Sequence, residues 1–404
     1  MNNNNFCILS DKFQRITNKN SVGNTNVLTI SAQHGLINQF EYYNHQYASE
    51  NTSGYPLLYK GEFAYNKSYS DGYPWGATKR LERYESGVVS PLYICFAAKD
   101  GVCADFYSYY FESDHFYREI YKIAQEGARN HGLLNVSTED FFKIQIANPP
   151  LEEQRRIADI LGCCDRVIAL KKELIAEKKK QKKALMQKLL NPDSGFRLPG
   201  FSGEWKEFEL NELGETYSGL AGKTAKDFEC GNSFFVPYLN IFENTIVDVN
   251  KLEQVDIKPH ENQNLVRYGD IFFTTSSETP EEVGMSSVFL ADVNNTYLNS
   301  FCFGFRLYDF ETLLPFFAAY YLRSDYMRII LNKLAQGATR FNISKTLLMK
   351  SKIKIPSSTV EQQAIADILS AADKEINLLE QELAQQEQKK KSLMQLLLTR
   401  TVRV

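Results

Sequence analysis

The sequence has no run of about 18 apolar residues, so nothing in it should cross a membrane as a helix. Met1-Asn2-Asn3-Asn4-Asn5 lacks both a basic start and an apolar stretch, which excludes a secretory leader. Cysteine is scarce: seven in 404 residues, scattered apart from Cys163-Cys164, with no C-x-x-C pair. That pattern argues against a zinc site or a disulfide frame and points to a reducing cytoplasm. Histidine is scarcer still. The five, His34, His45, His115, His131 and His260, form no spaced group, and each reads first as a surface or structural residue. No Gly-rich loop precedes a Lys and Ser/Thr, and neither H-E-x-x-H nor G-x-S-x-G occurs, so no catalytic motif is on offer. Positive charge is not in excess either. A net charge of −3 argues against non-specific coating of nucleic acid, and leaves open a sequence reader with local positive charge.

What is present is a repeat. At an offset of 208 residues, Glu153-Gln154 falls on Glu361-Gln362, and Ile157-Ala158-Asp159-Ile160-Leu161 falls on Ile365-Ala366-Asp367-Ile368-Leu369. Leu185-Met186-Gln187 likewise falls on Leu393-Met394-Gln395. Each block reads as a long helix. Pro149-Pro150 and Pro356 stand at its start, where a missing N–H costs little, and acids come early and lysines late. Only Gly162 interrupts the first block, and Pro192, Gly195 and Pro199-Gly200 stop it. Leu161, Cys164, Ile168, Ile175, Leu185 and Leu189 step by threes and fours, as do Leu369, Ala372, Ile376, Leu379, Leu383, Leu393 and Leu397. Two such stripes suit an antiparallel helix pair. The alternative is that each helix packs on its own domain, against which the polar stretches Lys178–Lys183 and Glu380–Lys391 argue.

The chain is long enough for two domains of about 150 residues each plus connecting elements. The expected division is a first domain over 1–148, a helix over 149–192, a second domain over 193–355 and a helix over 356–404. The domains repeat faintly. Tyr109-Tyr110-x-x-Ser113-Asp114 matches Tyr320-Tyr321-x-x-Ser324-Asp325, Gly61-Glu62-Phe63 matches Gly269-Asp270-Ile271, and Ala124–Arg129 matches Ala335–Arg340. Between these anchors the copies diverge, and Tyr65–Tyr84 has no counterpart in Thr274–Val288. Leu57–Phe63, Val89–Ala97, Asn264–Thr274 and Asn299–Leu307 read as strands, and Ser108–Gln125 and Leu313–Gln336 as helices. The fold class is therefore α/β or α+β, with two domains related by internal repeat and separated by two long helices.

The divergent segments hold residues suited to DNA. In the first copy Tyr65, Asn66, Lys67, Tyr69, Trp75, Thr78, Lys79 and Arg80 mix basic, amide and aromatic groups that contact phosphates and base edges. In the second, Thr274, Thr275, Ser276 and Ser277 offer hydroxyls, and Glu278 can accept from a cytosine amino group. The glycine turns present Arg129 in one copy, and Arg340 and Asn342 in the other. Ordinary polar loops account for the same composition, and an arginine on such a turn also suits a salt bridge within the fold. Asn148-Pro149-Pro150-Leu151 resembles the N-P-P-Tyr/Phe motif of DNA amino-methyltransferases, but Leu151 stands where an aromatic ring must stack on the flipped base. Pro149 serves as the helix start instead.

Domain, long helix, domain, long helix, with E-Q-x-x-I-A-x-I-L opening each helix, resembles the specificity subunit of a Type I restriction-modification enzyme. Gly200-Phe201-Ser202-Gly203-Glu204-Trp205, followed by Leu210 and Leu213, resembles that family's entry into a target-recognition domain. The resemblance implies a non-catalytic DNA reader whose two domains each read half of a split target, with the helices as an antiparallel coiled-coil ruler. Leu161 to Leu189 would span about 42 Å as a helix, on the order of one DNA turn. It further implies two methyltransferase subunits docked on the helices, through Gln154, Ile157, Leu161, Gln362, Ile365 and Leu369, and restriction subunits beyond them. S-adenosylmethionine, ATP and magnesium would sit on those partners, with no cofactor in this chain. A stand-alone adenine methyltransferase and a coiled-coil scaffold that does not bind DNA are the competing classes. One feature departs from the family. Nothing before Phe13 matches Trp205–Leu213, so the first domain is expected to lack its opening strand, or to be truncated or rearranged.

Overall fold

The computed structural model describes residues 6–31, 34–68, 73–126, 134–228 and 230–404. The chain forms two compact units, Met1–Lys172 with Gln381–Val404, and Glu173–Glu380.

In the first unit Phe6–Ile8 pairs antiparallel with Gln145–Ala147, followed by the short helix Leu9–Lys12. The main sheet has four antiparallel strands in the order Phe13–Arg15, Ile94–Ala98, Phe63–Asn66, Ala77–Arg80. Alternation along these strands turns Phe13, Phe63 and Phe96 to one face, where they meet Phe111 at ring separations of 5.4–5.5 Å. All four rings are buried, each contributing roughly 2–3 kcal/mol relative to exposure.

The second unit repeats this plan. Trp205–Glu209 pairs with Lys352–Pro356, the helix Leu210–Leu213 follows, and four antiparallel strands run in the order Gly214–Ser218, Cys302–Leu307, Ile271–Thr274, Ser286–Val288. The first domain therefore has its opening strand, contrary to the expectation from sequence. The match lies in the turn, not in the aromatic anchor. Asp11 accepts from Ile8 N as Glu212 does from Glu209 N, and Leu9 N reaches Ile144 O as Leu210 N reaches Ser351 O. The segments without a sequence counterpart also supply equivalent fourth strands, Ala77–Arg80 and Ser286–Val288.

Each helix expected before the glycine turn is two helices: Ala104–Tyr110 and Asp114–Ile123, then Pro315–Tyr321 and Asp325–Leu334. The repeated serines cause the break. Ser113 and Ser324 take extended backbone and accept at 3.3 Å from Phe116 N and Met327 N, capping the second helix of each pair.

The long helices are Leu151–Leu189, continuous through Gly162, and Thr359–Leu398. They pair antiparallel within each unit. In the first unit Lys171, Lys172 and Lys390 bridge to Glu382, Glu387 and Asp165; in the second Lys178, Lys179 and Lys182 bridge to Glu375, Glu380 and Asp373. The helices also pack on the domains, so the two readings of the apolar stripes both hold, on different stretches. Ile157, Ala158 and Leu161 enter the first domain's core beside Leu397 and Leu398. Ile365, Ala366 and Leu369 enter the second beside Leu189 and Leu190. Among the described residues no helix is long and apolar enough to cross a membrane.

Candidate nucleic-acid interface

In the second unit the strand Ile271–Thr274 runs on past the sheet edge. Thr275 N donates to Phe301 O and Thr275 O accepts from Ile343 N, turning the chain into a second, three-stranded sheet. Its strands are Ser276–Ser277, Phe341–Ile343 and Ala335–Gln336, with Ser276 opposite Asn342. The turn between the last two needs Gly337, whose φ is 134° and where a Cβ would meet Arg340 O at 2.1 Å. This turn and its strand hold Arg340 and Asn342 in solvent, with Glu278 exposed on the neighbouring segment. Arg340 Nε donates to Ser276 Oγ at 3.2 Å, and Tyr238 donates to Ser276 O at 3.1 Å from behind. The sheet thus brings Ser276 and Asn342 together as cross-strand partners, with Arg340 in the turn beside them. Arginine and asparagine so placed present the donor patterns that read guanine, adenine or phosphate.

Other candidates turn inward. Thr274 is buried, and Ser277 is buried with its hydroxyl on Glu282. Two causes act: Thr274 ends a strand, Ile271–Thr274, that is buried along its whole length, whereas the adjacent Ser276 and Ser277 point to opposite faces of the next sheet, which leaves Ser276 nearer solvent.

The first unit keeps the same path, since Leu134 N donates to Lys67 O as Ile343 N does to Thr275 O. Its candidates fare differently. Tyr65 is buried, stacked on Phe141 and bonded through its hydroxyl to Trp75 O; burial pushes its phenol up. Thr78 is buried as well. Lys79 pairs with Glu112 and lies over the Tyr73 ring, while Arg80 bridges to Glu82 at 2.7 Å and Asp105 at 2.6 Å. These three adjacent residues line a cleft of about 600 Å³, whose walls also carry Arg166 and Lys390 and, against these four bases, Glu82, Asp105, Glu112, Asp159 and Asp165. Lysine and arginine neutralised this way do not make a phosphate track. Asn66 accepts from Ser68 N, Lys67 is half-buried, with burial and then Arg15 lowering its pKa, and Trp75 stands edge-on to Tyr121 at 4.8 Å. Tyr69 and Arg129 lie outside the described residues. Among the described residues no cluster of His, Cys, Asp and Glu is arranged for a metal ion.

Two joints fasten the helices. In the first unit Tyr109 donates to Asp165 at 2.7 Å, and Lys390 bridges Asp165 while lying over the Tyr109 ring. In the second, Lys182 bridges Asp373 and lies over the Tyr320 ring. Sequence reasoning missed these residues, although Tyr109/Tyr320 belong to a repeated motif and Asp165/Asp373 and Lys182/Lys390 are related by the same offset of 208.

A duplicated frame with divergent surfaces on paired helices is the architecture of one known family. The model of the type I restriction modification DNA specificity domain matches residues 79–179 and again 202–388. The chain belongs to this family. It is a specificity subunit with two recognition domains, and relatives agree. The MjaVIII specificity subunit of a type I restriction enzyme from Methanocaldococcus jannaschii is 28% identical over 335 residues, covering 79% of this chain and 75% of its own. A putative MjaX specificity subunit from the same organism is 30% identical over 308 residues, covering 71% and 65%. Solved structures share the fold across 98% of this chain. One, from work on assembly and conformational transition of the type I R-M system, has a TM-score of 0.60 at 19% identity over 96% of that chain. The HsdS subunit from Thermoanaerobacter tengcongensis has 0.51 at 18% over 95% of its chain.

In this specificity subunit the E-Q-x-x-I-A-x-I-L residues assigned from sequence to partner docking face inward. Gln154, Ile157, Leu161, Gln362, Ile365 and Leu369 are all buried against their own domain. Gln154 donates to Pro149 O at 2.8 Å, and Gln362 to Thr312 O and Pro356 O. The motif glutamates take arginines: Glu361 holds Arg197 through two oxygens, and Glu153 meets Arg400 at 3.3 Å. These six positions of the repeated signature form a helix-to-domain joint, because side chains that complete a core are not presented to a partner.

Proposed function

We propose that this specificity subunit reads a split DNA target, one half with each recognition domain, the domains covering residues 1–148 and 193–355. In the second domain the reading edge is the short sheet of Ser276, Arg340 and Asn342, with Glu278 beside it. The observation that carries this assignment is that Arg340 is exposed on a turn only glycine permits, and braced by Ser276 instead of a carboxylate. Two methyltransferase subunits dock on the outward faces of the long helices, and restriction subunits join them. S-adenosylmethionine, ATP and magnesium belong to those partners. The setting is the cytoplasm, where the DNA is.

Mapping methylated adenines genome-wide, in cells expressing the chain with its modification partner, is the test. The expected result is one motif with two halves separated by a fixed spacer; an unsplit motif would overturn the reading. Arg340→Ala is expected to weaken DNA binding about 10–100-fold, or to relax one position of one half-site, with the fold intact. Unchanged affinity and motif would move the reading edge elsewhere.

A further inference from the structure

We propose that four charges on the long helices decide which helix pairs with which, so that every complete reader contains one first and one second recognition domain. The functional consequence rests on each domain reading one half-site; the pairing rule itself does not. The four are Lys172, which bridges Glu387 at 2.8 Å in the first unit, and Lys179, which bridges Glu380 at 2.7 Å in the second.

The repeat makes their arrangement informative. At the offset of 208, Lys172 corresponds to Glu380 and Lys179 to Glu387. These two positions therefore face each other whenever two such helices pair antiparallel. The first long helix carries lysine at both, and the second carries glutamate at both. Pairing unlike helices makes two ion pairs. Two copies of the first helix would set Lys172 against Lys179 twice, and two copies of the second would set Glu380 against Glu387 twice.

The neighbouring bridges show that this is not a general feature of the seam. Asp165–Lys390 and Lys182–Asp373 are equivalents of one another, and would form equally well between like helices. They favour antiparallel register without choosing a partner. Lys171–Glu382 and Lys178–Glu375 fall on Leu379, Leu174, Gln386 and Val167 in the other copy, so like helices would lose these bridges without gaining repulsion.

All four discriminating side chains are about half exposed, at 57% and 48% in one pair and 58% and 43% in the other. Exposed pairs add little to stability, but charges flanking a helix seam select partners through the repulsion that the wrong pairing would meet. Two equal halves would read a palindromic target. Excluding like pairs keeps the target asymmetric.

The test uses the full chain and needs neither DNA nor partner subunits, so its failure would leave the DNA reading untouched. Glu380→Lys with Glu387→Lys recreates the meeting of two first helices; Lys172→Glu with Lys179→Glu recreates that of two second helices. At low salt each double variant is expected to melt about 3 °C below the parent. The quadruple variant, which restores opposite charges with their sides exchanged, should recover at least half of the combined loss. A quadruple variant as unstable as the two losses added together would overturn the proposal, as would double variants that melt with the parent.

Discussion

Arg323→Ala is expected to lower the stability of the second unit by about 4 kcal/mol and its melting temperature by about 10 °C. The Arg323 guanidinium donates to Phe242 O at 2.6 Å, Asn244 O at 2.7 Å, Ser286 O at 2.8 Å and Ile241 O at 3.4 Å. It ties the helix Tyr238–Glu243 and the residue after it to the edge strand Ser286–Val288. Burial pulls its pKa down to about 10, which still leaves it charged at neutral pH. Removing it strands several half-buried carbonyls and opens a cavity, and both costs add to the lost bonds. Arg323→Lys should fall between, because one ammonium cannot reach carbonyls fanned out to fit a planar fork. Calorimetry on the full chain reads the effect, and a melting profile unchanged by Arg323→Ala would remove this role. At the matching point of the first unit stands Glu112, which holds the corresponding strand through Lys79. The second residue after the paired tyrosines thus performs one tethering task in both copies, with opposite charges.

The duplication, the two long helices and the mixed fold were legible because they rest on patterns that survive in one dimension: an offset, a period, a proline at a helix start. What was not legible depended on direction or on contact. The opening strand Phe6–Ile8 was hidden because it has three residues against the five of Trp205–Glu209, has no tryptophan, and is followed only by a matching leucine and an acid two residues on, Leu9 and Asp11 against Leu210 and Glu212. Tyr65 and Thr78 have the composition of a DNA contact and the burial of a core, a difference set by strand alternation and cross-strand pairing. Lys79 looks free in the sequence, since its carboxylate, Glu112, arrives from over thirty residues away, and of the two carboxylates on Arg80 only Glu82 is near in sequence, Asp105 coming from 25 residues on. Arg340 and Asn342 were legible as a glycine turn followed by polar groups. That a serine from residue 276 braces the arginine required the sheet to be seen.

The repeated glutamine offers the sharpest internal comparison, because one residue type in one motif is partnered differently in the two copies. Gln362→Ala is expected to cost about 4 kcal/mol and Gln154→Ala no more than about 1 kcal/mol. Gln362 is fully buried; its Nε2 donates to Thr312 O at 2.8 Å and Pro356 O at 2.9 Å, and its Oε1 accepts from Leu314 N at 2.9 Å. It thereby pins the chain that enters the helix Pro315–Tyr321 to the start of the second long helix. Alanine would take this partner from one N–H and two carbonyls, of which the Pro356 bond is buried and the other two part-buried. Gln154 has a single bond, to Pro149 O at 2.8 Å, and its buried Oε1 has no partner among the described residues. Deleting that side chain also deletes an unmet acceptor, which offsets part of the loss. Urea denaturation of the two full-length variants measures the difference directly. Equal losses would mean that the glutamines act through packing alone, and that the hydrogen bonds distinguishing the copies contribute nothing.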